Sequence, residues 1–341
     1  MLKFSPSTAR FSLLHSIRSV NHDPHAGQTG KWESTMTVSG SGRPFLKRIS
    51  VLDALNLFFL GIIFLFYLIG FKRTPYQARL VVLYSLLFLF ILFMGWIRER
   101  FPRGRLTKLF LFLYPVIFLF SIFETFYMLL PFFNSLRLDG VMANIDHALL
   151  GMNPTVWIER WIRPLLTDIM YLFYLFYFPM PLIILGWMYT RNKLPEVEES
   201  FFLLLFCYYG AYVMYFFIPV EGPRFYLSKL QSVPLDGVVL SEPIRSLIDA
   251  LEPNKLDAFP SLHAAILTMT MLVTHRHNRK LFHAFIPCAI GITVSLVYLR
   301  YHYVIDVIVG FVWAIVSYQF AGKVYRSVKP ALTSHFGSAE P

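Results

Sequence analysis

The sequence predicts an all-α, polytopic membrane protein of about eight transmembrane helices, and three observations carry that expectation. Charged residues make up 15% of the 341 and apolar residues 56%, whereas a soluble chain carries about 25% charged residues, so groups that solvate a surface are scarce. Apolar runs of about 20 residues, enough to cross a bilayer, recur from Val51 onward. No period-two alternation of apolar and polar residues competes with them, so strands are not expected. The same figures exclude a disordered chain and argue against a soluble enzyme.

Residues 1–50 are rich in Ser, Thr, Gly and His and hold no apolar run, hence no secretory hydrophobic region. They read as a disordered basic cytosolic tail. Lys3, Arg10 and Arg18, with no acid before Asp23, also suit a mitochondrial transit peptide. The expected spans follow: Val51 to Phe71, Ala78 to Ile97, Leu109 to Leu130, Ile169 to Thr190, Phe201 to Ile218, Leu262 to Thr274, Leu281 to Leu299 and Val304 to Ala321. The sixth is short by apolar count alone. Cys207 and Cys288 lie inside apolar runs without CxxC spacing and read as core residues.

The net charge of +11 would suggest nucleic acid as a partner of a soluble protein. Here the basic residues flank apolar runs, as they do in cytoplasmic loops of membrane proteins, and nucleic-acid binding is not expected. With both termini in the cytosol, 20 of the 31 Lys and Arg fall on the cytosolic side, the orientation the positive-inside rule favours.

Two loops on the other side are long. Residues 131–168 contain NIDHALLGMNPTVWIERW, with Trp157 and Trp161 spaced i, i+4, which suits a helix lying in the membrane interface. Residues 219–259 hold Pro223, Pro234, Pro243 and Pro253 and suit either a lid or a tether.

Polar residues beside membrane spans are costly and mark functional candidates. Three clusters fall on that non-cytosolic side. The first, IPVEGPR, ends in Arg224, and an Arg at a span end is by itself usually an interfacial anchor. The second, FPSLHAA, places Ser261 as a helix N-cap and His263 in the first turn, where free N–H groups suit an anion; a capping or surface histidine is the plainer reading. The third, RYHYVID, spaces His302 and Asp306 i, i+4, so that on a helix the carboxylate could orient the imidazole, or the two could form a satisfied buried pair. Together these residues suit phosphoryl chemistry, one histidine attacking phosphorus, the other protonating the leaving oxygen, and arginines holding the equatorial oxygens. No carboxylate or Cys/His set with metal-ligand spacing is present, so metal-independent chemistry with no cofactor is expected.

The ordered set Arg224, PSLH ending at His263, and His302-x-x-x-Asp306 resembles the three signature motifs of the phosphatidic acid phosphatase type 2 superfamily. AFPSLHAA, HYVID and DHALLGMNPTVWIE are similar to the branch of inositol phosphorylceramide and sphingomyelin synthases. The resemblance covers about residues 110–322. It implies a six-helix catalytic core over 109–322, preceded by two additional helices in 51–108 and followed by a short tail, 323–341. By resemblance His302 is the nucleophile that becomes a phosphohistidine, Asp306 its orienting carboxylate and His263 the acid for the leaving group. Ser261 and Arg224 would bind phosphate. In the third motif Leu296 stands where the superfamily has Arg, with Arg300 as the candidate replacement, and Phe217 stands where the first motif opens with Lys. Both departures are compatible with the synthase branch.

The expected protein is therefore a lipid phosphatase or phosphotransferase on the periplasmic or lumenal face. It would take a lipid phosphate or headgroup donor and pass the group, of inositol-phosphate type as the synthase-branch resemblance implies, to a lipid alcohol or water. A lipid carrier or channel subunit is the alternative of another class. It would place ionisable residues at mid-span, and the spans are nearly free of them apart from Glu124.

Overall fold

A computed structural model describes residues 49–102, 104–251 and 254–336; the expected N-terminal tail, up to residue 48, and the last residues of the C-terminal tail lie outside them. In chain order the helices are α1 (Val51–Gly70), α2 (Gln77–Arg100), α3 (Arg105–Phe123), α4 (Phe126–Phe133), α5 (Asp139–Leu150), α6 (Pro154–Trp157), α7 (Pro164–Phe176), α8 (Pro179–Thr190), α9 (Leu194–Phe217), α10 (Pro223–Tyr226), α11 (Ser241–Leu251), α12 (Leu262–His277), α13 (Arg279–Tyr298) and α14 (Val304–Val328). Among the described residues there is no strand, only the isolated bridges Ser50 to Thr333 and Val220 to Asp257. The chain is an all-α, multi-pass membrane protein.

Among the described residues six helices, α1, α2, α3, α9, α13 and α14, are long and apolar enough to cross a membrane, and the bent pair α7–α8 is either one further, broken span or a re-entrant loop. The sixth expected span is α12, with 16 residues, or about 24 Å at 1.5 Å per residue. It needs no full apolar surface of its own, because α8, α9, α13 and α14 pack around it.

Two expected spans are not continuous. Leu109 to Leu130 breaks at Glu124–Thr125, between α3 and α4; the Thr125 hydroxyl donates to the Ile122 carbonyl at 2.7 Å, taking an oxygen that a continuing helix would use. Ile169 to Thr190 bends by 42° between α7 and α8. Pro179 there lacks the N–H that would continue the ladder.

The stretch from 144 to 161 is helical in pieces, as its amphipathic pattern suggests. α5 ends at Gly151, whose φ of 72° is the left-handed conformation glycine adopts without strain. Trp157 and Trp161 meet edge to face at 4.3 Å.

The additional helices α1 and α2 are joined to the rest by packing and buried polar contacts. Phe59 of α1 stacks on Tyr209 of α9 at 4.0 Å. Asn56 donates to Tyr114 of α3 at 2.9 Å and accepts from the Tyr209 hydroxyl at 2.6 Å. Arg98 of α2 pairs with Asp53 of α1 at 2.7 Å, both buried. The segment after α14 returns to the start of α1: Thr333 N–H donates to the Ile49 carbonyl at 3.1 Å, and the His335 ring meets the Ser50 hydroxyl at 3.1 Å. The two described chain ends thus share one end of the bundle. α14 runs from there to the opposite end, where the three polar clusters gather.

Candidate active site

The site forms where the turn between α13 and α14 meets the start of α12. Ser261 caps α12 as its sequence position suggests, its Oγ accepting the Ala264 N–H at 3.3 Å. Its own N–H donates to the Asp306 carbonyl at 3.0 Å, tying α12 to α14. His263 follows in the first turn. After α13 the Tyr301 and His302 N–H groups both donate to the Leu296 carbonyl at 3.1 Å, and Arg300 turns the chain through a left-handed φ of 65°. α14 then starts at Val304, so His302 precedes the helix. The expectation that His302 and Asp306 share a helical face is corrected accordingly.

The first N–H groups of α14 have no intrahelical acceptors and are held by acids. Tyr303 N–H donates to Asp306 at 2.9 Å. Val304 and Ile305 N–H donate to Asp146 of α5 at 2.8 and 2.9 Å. Asp139, also of α5, accepts from the Glu221 and Gly222 N–H groups at 3.0 and 2.8 Å and from the Tyr303 hydroxyl at 3.2 Å. One short helix therefore fixes both the α9–α10 turn and the His302 turn.

The two histidines are in contact, His263 Nδ1 lying 3.2 Å from His302 Nε2. His302 Nδ1 lies 2.9 Å from the Ala258 carbonyl, an oxygen that can only accept, so Nδ1 carries the proton and Nε2 the lone pair. Asp306 Oδ2 is farther from Nδ1, at 3.7 Å. Burial pushes the His302 pKa down to about 4, opposed by the Ala258 hydrogen bond and by Asp257. Burial pushes Asp257 up to about 6, with His302 pulling the other way. His302 is thus neutral at physiological pH. The His263 ring is flanked by Tyr174 and Tyr177 at 4.6 and 4.4 Å.

The histidines and Arg224 line a cavity of 840 Å3. Arg224 forms two hydrogen bonds with Asp249 of α11, both 2.9 Å, and its guanidinium lies 5.5 Å from the Tyr301 ring. Hydrogen bonding to Arg224 holds the Asp249 carboxyl below its usual range. Lys255 reaches the same carboxylate at 3.4 Å.

The remaining candidates do not line this cavity. Asp306 and Ser261 are fully buried behind it. Arg300 turns away to Glu159 and the Val233 carbonyl, both at 2.7 Å, and burial lowers its pKa. Arg300 does not line the cavity. Among the described residues no three His, Cys, Asp or Glu converge as metal ligands.

Sequence reasoning missed Asp257, Lys255, Tyr174, Tyr177 and Tyr301 in the cavity wall, and Asp139 and Asp146 behind it. Asp257 immediately precedes AFPSLHAA, so an acid beside a histidine motif was a usable signal. The tyrosines gave none, lying in a chain with 19 of them.

A sequence model described as the PAP2 superfamily matches residues 142–320, a stretch that contains all six candidate residues. Comparison with curated proteins and with solved structures gives no match.

Proposed function

The chain belongs to the PAP2 superfamily, whose members are generally phosphatases, and from that premise we propose that it cleaves a lipid phosphoester through a phosphohistidine on His302. The contact between His263 Nδ1 and His302 Nε2 inside an otherwise largely aromatic and apolar cavity carries this reading.

The His302 Nε2 lone pair attacks phosphorus, a P–N bond forms and the P–O bond to the leaving group breaks. His263 gives its proton to the departing oxygen. In the second half, water or a lipid alcohol gives a proton to His263, its oxygen attacks phosphorus, and the P–N bond breaks to restore His302. At 3.2 Å no phosphorus atom fits between the rings, so substrate entry parts them. Arg224 is the proposed phosphate ligand, exchanging its carboxylate partner Asp249 for phosphoryl oxygens of similar geometry, with Lys255 beside it. Asp306 and Ser261 act as positioning residues through the turn and the α12 cap, and Arg300 as an anchor of that turn to Glu159.

The likeness of AFPSLHAA and HYVID to inositol phosphorylceramide and sphingomyelin synthases supports transfer of a phospho-headgroup to a lipid alcohol beside hydrolysis. The site lies at the bundle end opposite the two described chain ends, and the Lys and Arg distribution favours those ends in the cytosol, which supports a non-cytosolic active site.

The test is to trap the intermediate from a lipid labelled at phosphorus, with EDTA in the medium. Acid-labile, base-stable label is expected on the wild-type protein and none on His302→Ala. Label that survives in His302→Ala, or that EDTA abolishes, refutes the mechanism.

A further inference from the structure

The cavity has a polar patch on α3 that the chemistry above leaves unused. Ser121 and Glu124 line it from the end of α3, on a stretch otherwise made of Leu119, Phe120 and Phe123. Glu124 stands at the break before α4 and is exposed. Its carboxylate makes no hydrogen bond or ion pair with any described residue. The cations of the cavity, Arg224 and Lys255, come from other elements and meet Asp249. An acid at the end of a membrane span is costly to keep without a use.

A second cavity of 330 Å3, walled by α3, α8 and α9, adjoins the first, and Leu119, Phe120, Phe178, Pro179 and Tyr208 line both. The order along α3 is directional. Pro115 and Val116 line only the apolar cavity, Leu119 and Phe120 line both, and Ser121, Phe123 and Glu124 line only the one holding the histidines. α8 shows the same order: Pro179 lines both cavities, and Pro181, Leu182 and Leu185 only the apolar one. Over about 14 Å of α3 the surroundings pass from alkyl to polar, the order of groups along a lipid from chain to headgroup.

We propose that Glu124 is a specificity-determining residue. It accepts a hydrogen bond from a neutral donor, a hydroxyl or amide N–H, on the lipid backbone between the reacting phosphate and an alkyl chain held among α3, α8 and α9. This assignment rests on the lipid-phosphoester reading of the same site.

The test compares lysophosphatidic acid, which has a free backbone hydroxyl, with phosphatidic acid, in which both hydroxyls are esterified, in mixed micelles. In Glu124→Ala the ratio of kcat/KM for the lyso lipid to that for the diacyl lipid is expected to fall about tenfold, mainly through KM, because a hydrogen bond to a charged acceptor is lost. In Glu124→Gln, nearly isosteric and still an acceptor, the ratio stays within about threefold of wild type. An unchanged ratio in Glu124→Ala, or an equal fall in both variants, overturns the assignment. Wild-type protein that turns over neither lipid, with or without a lipid alcohol, refutes the underlying reading and this assignment with it.

Discussion

A good leaving group is expected to restore the first half-reaction to His263→Ala and not to His302→Ala. With an alkyl phosphoester the departing alkoxide needs a proton, so loss of the acid costs about 10²- to 10⁴-fold. Loss of the nucleophile costs about 10⁴-fold or more. Nitrophenolate leaves without protonation. On a long-chain nitrophenyl phosphodiester, His263→Ala should release one nitrophenolate per protein in a burst and then stall, since the second half-reaction still lacks a base. His302→Ala should give no burst. The opposite pattern would exchange the two roles, and equal behaviour would remove both. The division follows from the hydrogen bonds: the Ala258 carbonyl fixes the His302 proton on Nδ1 and leaves Nε2 facing the cavity.

Most of the expected spans were legible because each is a long run of apolar residues, a local property; α12, short by that count, is the exception. The breaks in two of them were less so, since Pro115 sits inside unbroken α3 while Pro179 starts α8; packing decides which proline ends a helix. Ser261 as N-cap and His263 in the first turn follow from local sequence and stand as expected. The path of Arg300 is not local: the left-handed turn at Arg300 itself sends its guanidinium to Glu159, 141 residues earlier. The pairing of Arg224 with Asp249, and the support of α14 by Asp146 over 158 residues, are likewise long-range contacts that spacing along the chain does not encode.

Gly310→Ala is expected to disable the site from a position outside the cavity. A Cβ at Gly310 in α14 would collide with the Ser261 carbonyl oxygen and lie 3.0 Å from Ala264 Cβ. These are backbone and first-turn atoms of α12, which cannot rotate away, so the two helices must separate. Overpacking of this kind costs about 1–3 kcal/mol and should lower the melting temperature. The larger effect is geometric. Ser261 joins α12 to α14 through its N–H bond to the Asp306 carbonyl, and the histidines at 3.2 Å sit one on each side of that joint. A displacement of about 1 Å at a reacting pair costs about 10²-fold in rate, so kcat should fall by about that factor, with KM for the lipid less affected because Arg224 and the apolar cavity lie elsewhere. Gly61→Ala in α1, where the new Cβ meets nothing within 4 Å, is the control for a glycine-to-alanine change in a membrane helix and should retain turnover. Wild-type kcat in Gly310→Ala would mean that the spacing of α12 and α14 does not set the distance between the histidines.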